Sequence, residues 1–332
     1  MSGPGACRAV PAGVTALLVL LATACAGPRV PSAPEAPGPH TAVTPRQAVQ
    51  ILSTVDATLV RAVQSRDATR LEGRAVGPIQ AALTAAIRVQ AALKQPPSVP
   101  PSPTTPRLML TLAGPWPRWF AVAGPSPAAT TPLLEVLSSP DARSPYGLWA
   151  QLRLLPGAVL PEVASATAGA RTLGPGTTGL AASPVDTVNH YAELLNRGDA
   201  SSFTGQFTAD VYRTELNAQL AADRRDFQSR GVGQVTAVHS VAGDPPLAMP
   251  TLDGGALVIG RVDQQYTATV TAGKGSVRLD QQLAVLAGRP TVSSRLERRS
   301  VEVFAFHVPR AGSSDKITLV AASRSDVSAT GS

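Results

Sequence analysis

Cysteine is nearly absent from this chain: among 332 residues only Cys7 and Cys25 carry a thiol. No disulfide framework is available to the body, so its fold must be held by buried apolar cores. Lysine is scarce as well, confined to Lys94, Lys274 and Lys316 among 29 basic residues. Arginine therefore carries the formal charge of +7, and with abundant Ala and Pro this fits the coding bias of a high-GC genome. A basic surface of this kind can rest against anionic lipid head groups. Aromatic residues make up 4% of the chain and form no stripe with basic residues, so no nucleic-acid partner is expected. The four histidines, His40, His190, His239 and His307, have no paired cysteines beside them and give no zinc spacing. No calcium-loop pattern and no G-x-S-x-G elbow occurs. These absences predict no metal site, no cofactor and no assignable catalytic residue.

Long hydrophobic runs are also lacking. The longest in the N-terminal region, residues 9–21, spans thirteen residues, whereas a helix needs roughly 20 to cross a bilayer. It is a signal-peptide core by length. It ends in Leu21-Ala22-Thr23-Ala24-Cys25, which resembles the bacterial lipoprotein signal, with Leu four residues before the cysteine and Ala22 three before it. The resemblance implies cleavage before Cys25, acylation of that thiol by lipid such as palmitate, and tethering to the outer face of the cell membrane. Ala22-Thr23-Ala24 equally fits an ordinary secretory cleavage site, and that alternative stays open. Residues 1–24 are thus read as a signal peptide. Residues 25–43, rich in proline, are read as an extended tether in which His40 is merely solvated.

About 290 residues remain, enough for two ordinary domains, and a hydrophobic fraction of 44% is compatible with real cores. An internal duplication divides them. Thr44-Pro45 opens an amphipathic run that reaches Asp67, and Ser183-Pro184 opens another that reaches Asp199; the two frames align without a gap from these aspartates onward. A hydroxyl followed by Pro is a helix start, because the hydroxyl accepts an orphan amide and Pro has none to leave unpaired. Asp67 and Asp199 are each expected to cap a following short helix.

Both copies then turn to strands. In the second, helical segments at 184–197, 200–206 and 208–229 precede strands near 235–241, 256–271, 276–287, 298–309 and 316–323. The first shows the same order with strands near 107–113, 118–124, 131–138 and 146–155. Gly254-Gly255 and Gly273-Lys274-Gly275 read as hairpin turns between strands. The layout is α+β: two tandem domains, 44–155 and 183–324, each with N-terminal helices packed on a curved antiparallel sheet. They are joined by a Gly-, Ala-, Thr- and Pro-rich linker, 156–182, loose enough to let them reorient, and followed by a disordered tail, 325–332. This order of elements resembles the cone-shaped fold of nuclear transport factor 2 and ketosteroid isomerase. A lipoprotein signal followed by two such copies is similar to an uncharacterised group of actinobacterial envelope lipoproteins. The resemblance implies a cone with an apolar pocket and does not imply catalysis.

Members of that fold that are enzymes use an Asp base or a His-Asp pair, for which the second copy offers His190, Tyr191, Asp199, Asp210, Tyr212, Tyr266 and His307. None stands at a spacing that chemistry requires. His190 lies beside the stripe of Val188, Tyr191, Leu194 and Leu195; His307 lies opposite Phe304 and Phe306 and should look outward if the phenylalanines fill the core. Trp116, Trp119, Phe120 and Trp149 read as core plugs, the Arg295-to-Arg299 cluster as a solvated strand start, and residues 96–106 equally as a polyproline-type ligand or as an insertion between helix and sheet. The expected function is a non-enzymatic, membrane-anchored binding or scaffold module for an envelope protein, a lipid or a small apolar ligand. An enzyme with an acid-base pocket in the second copy is the alternative, marked by Asp199 or Asp210 beside Tyr266.

Overall fold

Helix α1, Pro45–Ser65, starts where the sequence says it should. The Thr44 hydroxyl accepts the Gln47 amide at 3.2 Å while the Gln47 side chain accepts the Thr44 amide at 2.8 Å, a reciprocal capping box. Asp67 then accepts the Thr69 amide and opens a short 3-10 turn, Ala68–Leu71, ahead of α2, Gly77–Ala92. In the computed structural model, which describes Gly5 and residues 38–332, the second copy begins alike: Ser183 accepts the Asp186 amide at the start of α3, Pro184–Arg197. Asp199 departs from expectation. It lies inside the short turn Gly198–Ala200 and caps nothing, and it is Asp210 that caps α4, Val211–Ser229, by accepting the Arg213 amide.

The strands of the first half are β1 (Arg107–Leu110), β2 (Arg118–Gly124), β3 (Leu133–Ser139) and β4 (Gly147–Leu154). Those of the second are β5 (Gly233–Val241), β6 (Leu247–Pro250), β7 (Ala256–Val270), β8 (Val277–Arg278), β9 (Thr291–Val292), β10 (Arg295–Val308) and β11 (Thr318–Gly331). The strand expected over 276–287 is instead the two-residue β8 followed by α5, Gln281–Ala287. Asp280 accepts the Leu283 amide at its start, and Gly288, at φ +71°, closes it in the left-handed conformation that suits glycine. The tail expected at 325–332 is also corrected: β11 runs to Gly331, paired along β10.

One sheet of nine strands results, in the order β1-β2-β3-β4-β11-β10-β7-β5, with β6 also on β7; β8 and β9 form a separate small ribbon. The duplication is legible in this order. Each half is a four-strand antiparallel meander, β1-β2-β3-β4 and β5-β7-β10-β11, and the two last strands meet at the centre, where Leu154 lies opposite Ala321 and Arg153 opposite Ala322. Antiparallel pairing of equivalent strands is the arrangement a two-fold relation requires. The α+β class stands; in place of two separate tandem domains there is one body, Pro39–Ser332, with a continuous sheet.

Four cores form among the described residues; one gathers Val235, Tyr266, Ala268 and Leu296 with α2, α4 and α5, and alternation along the strands distributes the other three. Leu110, Phe120, Val122 and Leu137 face α1 and α2 in the first half, and Phe304, Phe306 and Val308 face α3 in the second. The opposite face is common to both halves: Met109, Trp119, Val136 and Leu152 pack with Leu257, Ile259, Val303 and Ala305. Burying a Phe or Leu side chain is worth about 1.5–3 kcal/mol, so this shared core is a large part of what holds the halves together. Linker residues Leu160, Val163 and Ala170 are buried in it, and bridges from Ala170 to Thr111, Val163 to Thr251 and Leu180 to Arg310 fix the linker to both halves. Residues 40–43, expected at the end of a free tether, are likewise attached. The His40 carbonyl accepts the Ala113 amide, Ala42 donates to Thr111, and Val43 is buried.

Candidate functional site: a buried polar network beside an inter-half cleft

β10 carries a glutamate in the middle of its apolar run. Glu302 lies on the face of Phe304 and Phe306 and is fully buried. Side chains from α4, β11 and β5 reach it, and one from β7 bridges two of these. Tyr212 of α4 donates its hydroxyl to Glu302 Oε1 at 2.8 Å, and Arg324 of β11, directly opposite in the ladder, places Nε 3.5 Å from the same oxygen. His239 of β5 brings Nε2 to 3.6 Å from Glu302 Oε2. Gln264 of β7 donates its amide to His239 Nε2 at 2.9 Å and accepts Arg324 Nη2 at 2.8 Å. His239 Nε2 is thus an acceptor, so the ring is neutral with its proton on Nδ1, which faces Asn196 Oδ1 at 3.3 Å.

Burial sets the protonation of this network. It pushes the Glu302 carboxyl up to about 7, against the lowering effects of Tyr212 and Arg324. Burial, with the Arg324 charge beside it, lowers the His239 imidazole to about 4. Glu302 Oε2 has no hydrogen-bond partner among the described residues. The first half holds its counterpart at the equivalent ladder position: Glu135 of β3 stands opposite Gln151 of β4, as Glu302 stands opposite Arg324. Glu135 is also raised to about 7 by burial, but Gln151 satisfies it, donating to Glu135 Oε1 at 2.9 Å and to the Pro101 carbonyl at 2.7 Å. The proline-rich segment thus seals the first half, with Ser102 bonded to Asp56 at 2.8 Å.

Beside the network, the void lined by Gln264, Tyr266, Arg298 and Arg324 is only about 10 Å³, barely room for one water. Arg324 reaches out of it into a cleft of about 490 Å³ at the junction of the halves. One wall is the small-residue face of α2, with Ala82, Ala85 and Ala86; the other is α5, with Leu283 and Leu286; Arg298, Arg324 and Asp326 lie between them. Arg88 of α2 donates to the Val285 carbonyl of α5 at 3.1 Å and ties the walls together. Arg298 stacks over Tyr266 at 4.4 Å. The arginine cluster expected at a solvated strand start is therefore half inside: Leu296 is in a core and Arg298 is 20% exposed in the cleft.

The sequence-derived candidates are scattered around this site. Cys25 lies outside the described residues. Tyr212 belongs to the network. Tyr191, fully buried among Phe207, Phe304 and Phe306, donates to Asp210 at 3.2 Å. Burial raises the Asp210 carboxyl. Asp199 is exposed, and Tyr266 has Arg298 and Asp223 as neighbours, so neither aspartate stands beside Tyr266. His190 stacks on Phe203 at the surface, with Nδ1 2.9 Å from Gln206. His307 contacts Asp253 at 2.9 Å and is 27% exposed; its strand is buried on both faces, so facing away from the phenylalanines does not put it in solvent. Trp119 and Phe120 are core residues, whereas Trp116 is 37% exposed beneath Arg118. Among the described residues, no group of three His, Cys, Asp or Glu side chains can hold a metal, and no helix is long and apolar enough to cross a membrane. Glu302, His239, Gln264 and Arg324 were not candidates from sequence; the available signal was a glutamate on the phenylalanine face of a strand, repeated as Glu-Val-Leu at 135–137 and Glu-Val-Phe at 302–304.

Fold and site together define an α+β protein of two fused half-sheets with a cleft at their junction. The chain belongs to the family described as Domain of unknown function (DUF8094), which it matches over residues 39–331. No curated protein and no solved structure matches it.

Proposed function

We propose that this chain is an exported lipoprotein of the cell envelope, cleaved before Cys25, acylated there, and held on the outer face of the membrane, where its body binds or scaffolds rather than catalyses. The observation that carries the reading is the short apolar run ending in Leu21-Ala22-Thr23-Ala24-Cys25, followed by proline-rich sequence up to a body that begins at residue 39. An acyl chain supplies about 0.8 kcal/mol per buried methylene, so diacylation gives a stable anchor. On this reading each half is a variant of the cone-like fold of nuclear transport factor 2 and ketosteroid isomerase, joined through its last strand. The aromatic filling of the second half by Tyr191, Phe304 and Phe306 favours a binding role for the inter-half cleft over the cone interior. The test is metabolic labelling of the full chain with an alkyne fatty acid in a high-GC bacterial host. Label in the membrane fraction for the native chain, and its loss with release to the medium for Cys25→Ser, is the expected result; an unlabelled soluble native chain would overturn the anchor.

A second reading, an acid-base enzyme, draws its support from Glu302, whose carboxyl is raised to about 7 as a proton-transfer group requires. Turnover in this reading requires α4 to open over Tyr212, because the carboxyl is sealed from the cleft.

A further inference from the structure

The cleft between α2, α5 and the β10–β11 ribbon has an imbalance of hydrogen-bonding capacity. Two guanidinium groups line it, and each carries five N–H donors. The Arg298 guanidinium makes no hydrogen bond among the described residues: its neighbours are the Tyr266 ring and, at 3.6 Å from Nε, the Asp326 carboxylate. Arg324 makes one, to Gln264, and its Nε is likewise unpartnered at 3.5 Å from Glu302. The two carboxylates in the cleft take one hydrogen bond each from other groups, Asp280 from the Leu283 amide and Asp326 from the Ser300 hydroxyl, and neither takes one from Arg298 or Arg324. Most of the guanidinium donors are therefore unspent, even though the charges of the lining residues balance.

The rest of the lining combines the polar Gln90, Gln95, Gln282 and Ser325 with an apolar wall. Ala82, Ala85, Ala86, Val89, Leu283 and Leu286 give an apolar flank next to the arginines. A volume of about 490 Å³ lies in the usual range for small-molecule sites, roughly 300–1,000 Å³. The first half shows what the same position looks like without this imbalance: Gln151 replaces Arg324 and both its amide bonds are made to protein.

From the two underbonded arginines beside an apolar wall, we infer that this cleft binds a small anionic amphiphile, an oxyanion head on Arg298 and Arg324 with a short apolar body against α2 and α5. Planar guanidinium groups pair with carboxylate or phosphate in two-point fashion, and the alanine face lets the apolar part approach the helix closely. The inference rests on the binding-module reading above and supplies its site and ligand class. The head can come from a membrane lipid or from a soluble organic acid.

The full chain, acylated and reconstituted in phosphatidylcholine nanodiscs, is titrated with octanoate, octylammonium and inorganic phosphate while the cleft amides are followed by NMR. Octanoate is expected to shift residues of α2, α5 and β11 saturably; octylammonium is not, and phosphate binds more weakly than octanoate. Arg298→Gln with Arg324→Gln should weaken octanoate at least tenfold. Because those changes touch the buried network, Ala86→Phe is the second variant: it blocks the cleft from the exposed side of α2, leaves both arginines in place, and should weaken octanoate as much. Equal binding of octanoate and octylammonium, phosphate as tight as octanoate, or unchanged affinity in Ala86→Phe would each overturn the inference. Nanodiscs containing phosphatidylglycerol assign the source: loss of the octanoate response there means a lipid head group occupies the cleft, and an unchanged response means a soluble acid. Failure to bind octanoate leaves the fatty-acid labelling at Cys25 untouched, so loss of the ligand and loss of the anchor are separate results.

Discussion

Glu302 is the residue whose environment departs furthest from its ordinary chemistry. Its folded-state carboxyl, at about 7, binds a proton more tightly than the unfolded chain does. Its contribution to stability is therefore fully present below about 4.5 and is lost as pH rises through about 7. His239 works in the opposite direction. Lowered to about 4, it favours the folded state increasingly as pH rises from about 4 to about 6.5. Glu302→Gln removes the first of these slopes and keeps an acceptor for Tyr212. Relative to the native chain, the variant should gain on the order of 3 kcal/mol between pH 4.5 and pH 8, read as diverging urea midpoints; parallel midpoints across that range would show that the carboxyl is not buried as described. This chemistry was out of reach of the sequence for a definite reason. Glu302 shares the face of Phe304 and Phe306, but Tyr212, His239 and Arg324 stand on separate elements, and only the fold brings them to one carboxyl.

At the scale of elements, starts and stops were legible where a side chain writes them locally. Thr44-Pro45 and Ser183-Pro184 mark α1 and α3, and the stripe of Val188, Tyr191, Leu194 and Leu195 is the buried face of α3. The misreading of α5 shows the limit. Leu283-Ala284-Val285-Leu286-Ala287 is a short apolar run that fits strand or helix, and the Asp280 cap with Gly288 behind it was the deciding signal. β6 escaped notice because it is four residues long and ends in Pro250. Seating of α3 depends on one glycine. A Cβ on Gly260 of β7 would stand 2.3 Å from Val188 Cγ2, so the helix sits where only hydrogen fits. Gly260→Ala should cost about 1–3 kcal/mol by overpacking, seen as a lowered thermal midpoint, and Val188→Ala in the same chain should restore part of the loss. A neutral Gly260→Ala would mean that α3 stands further from the sheet.

Seen whole, the molecule is two like meanders joined in one sheet and one body. Equivalence of the halves was readable from local motifs; their fusion was not, because the seam between β4 and β11 and the shared core join residues more than a hundred positions apart. Trp119 and Met109 of the first half need Leu257 and Ile259 of the second to be covered. Residues 39–155 and 156–332 made as separate chains should therefore each fail to give dispersed amide spectra, and mixing them should restore dispersion. Two halves that fold alone would restore the picture of independent domains.

The position of β11 has one more consequence. The strand that comes last in sequence, Thr318–Gly331, is fifth of the eight along the path of the sheet, flanked by β4 and β10. A chain that emerges in order from a ribosome holds the first meander and most of the second while the place between them is still empty. The last strand closes the sheet the way a keystone closes an arch, joining two meanders whose strands do not otherwise pair with each other.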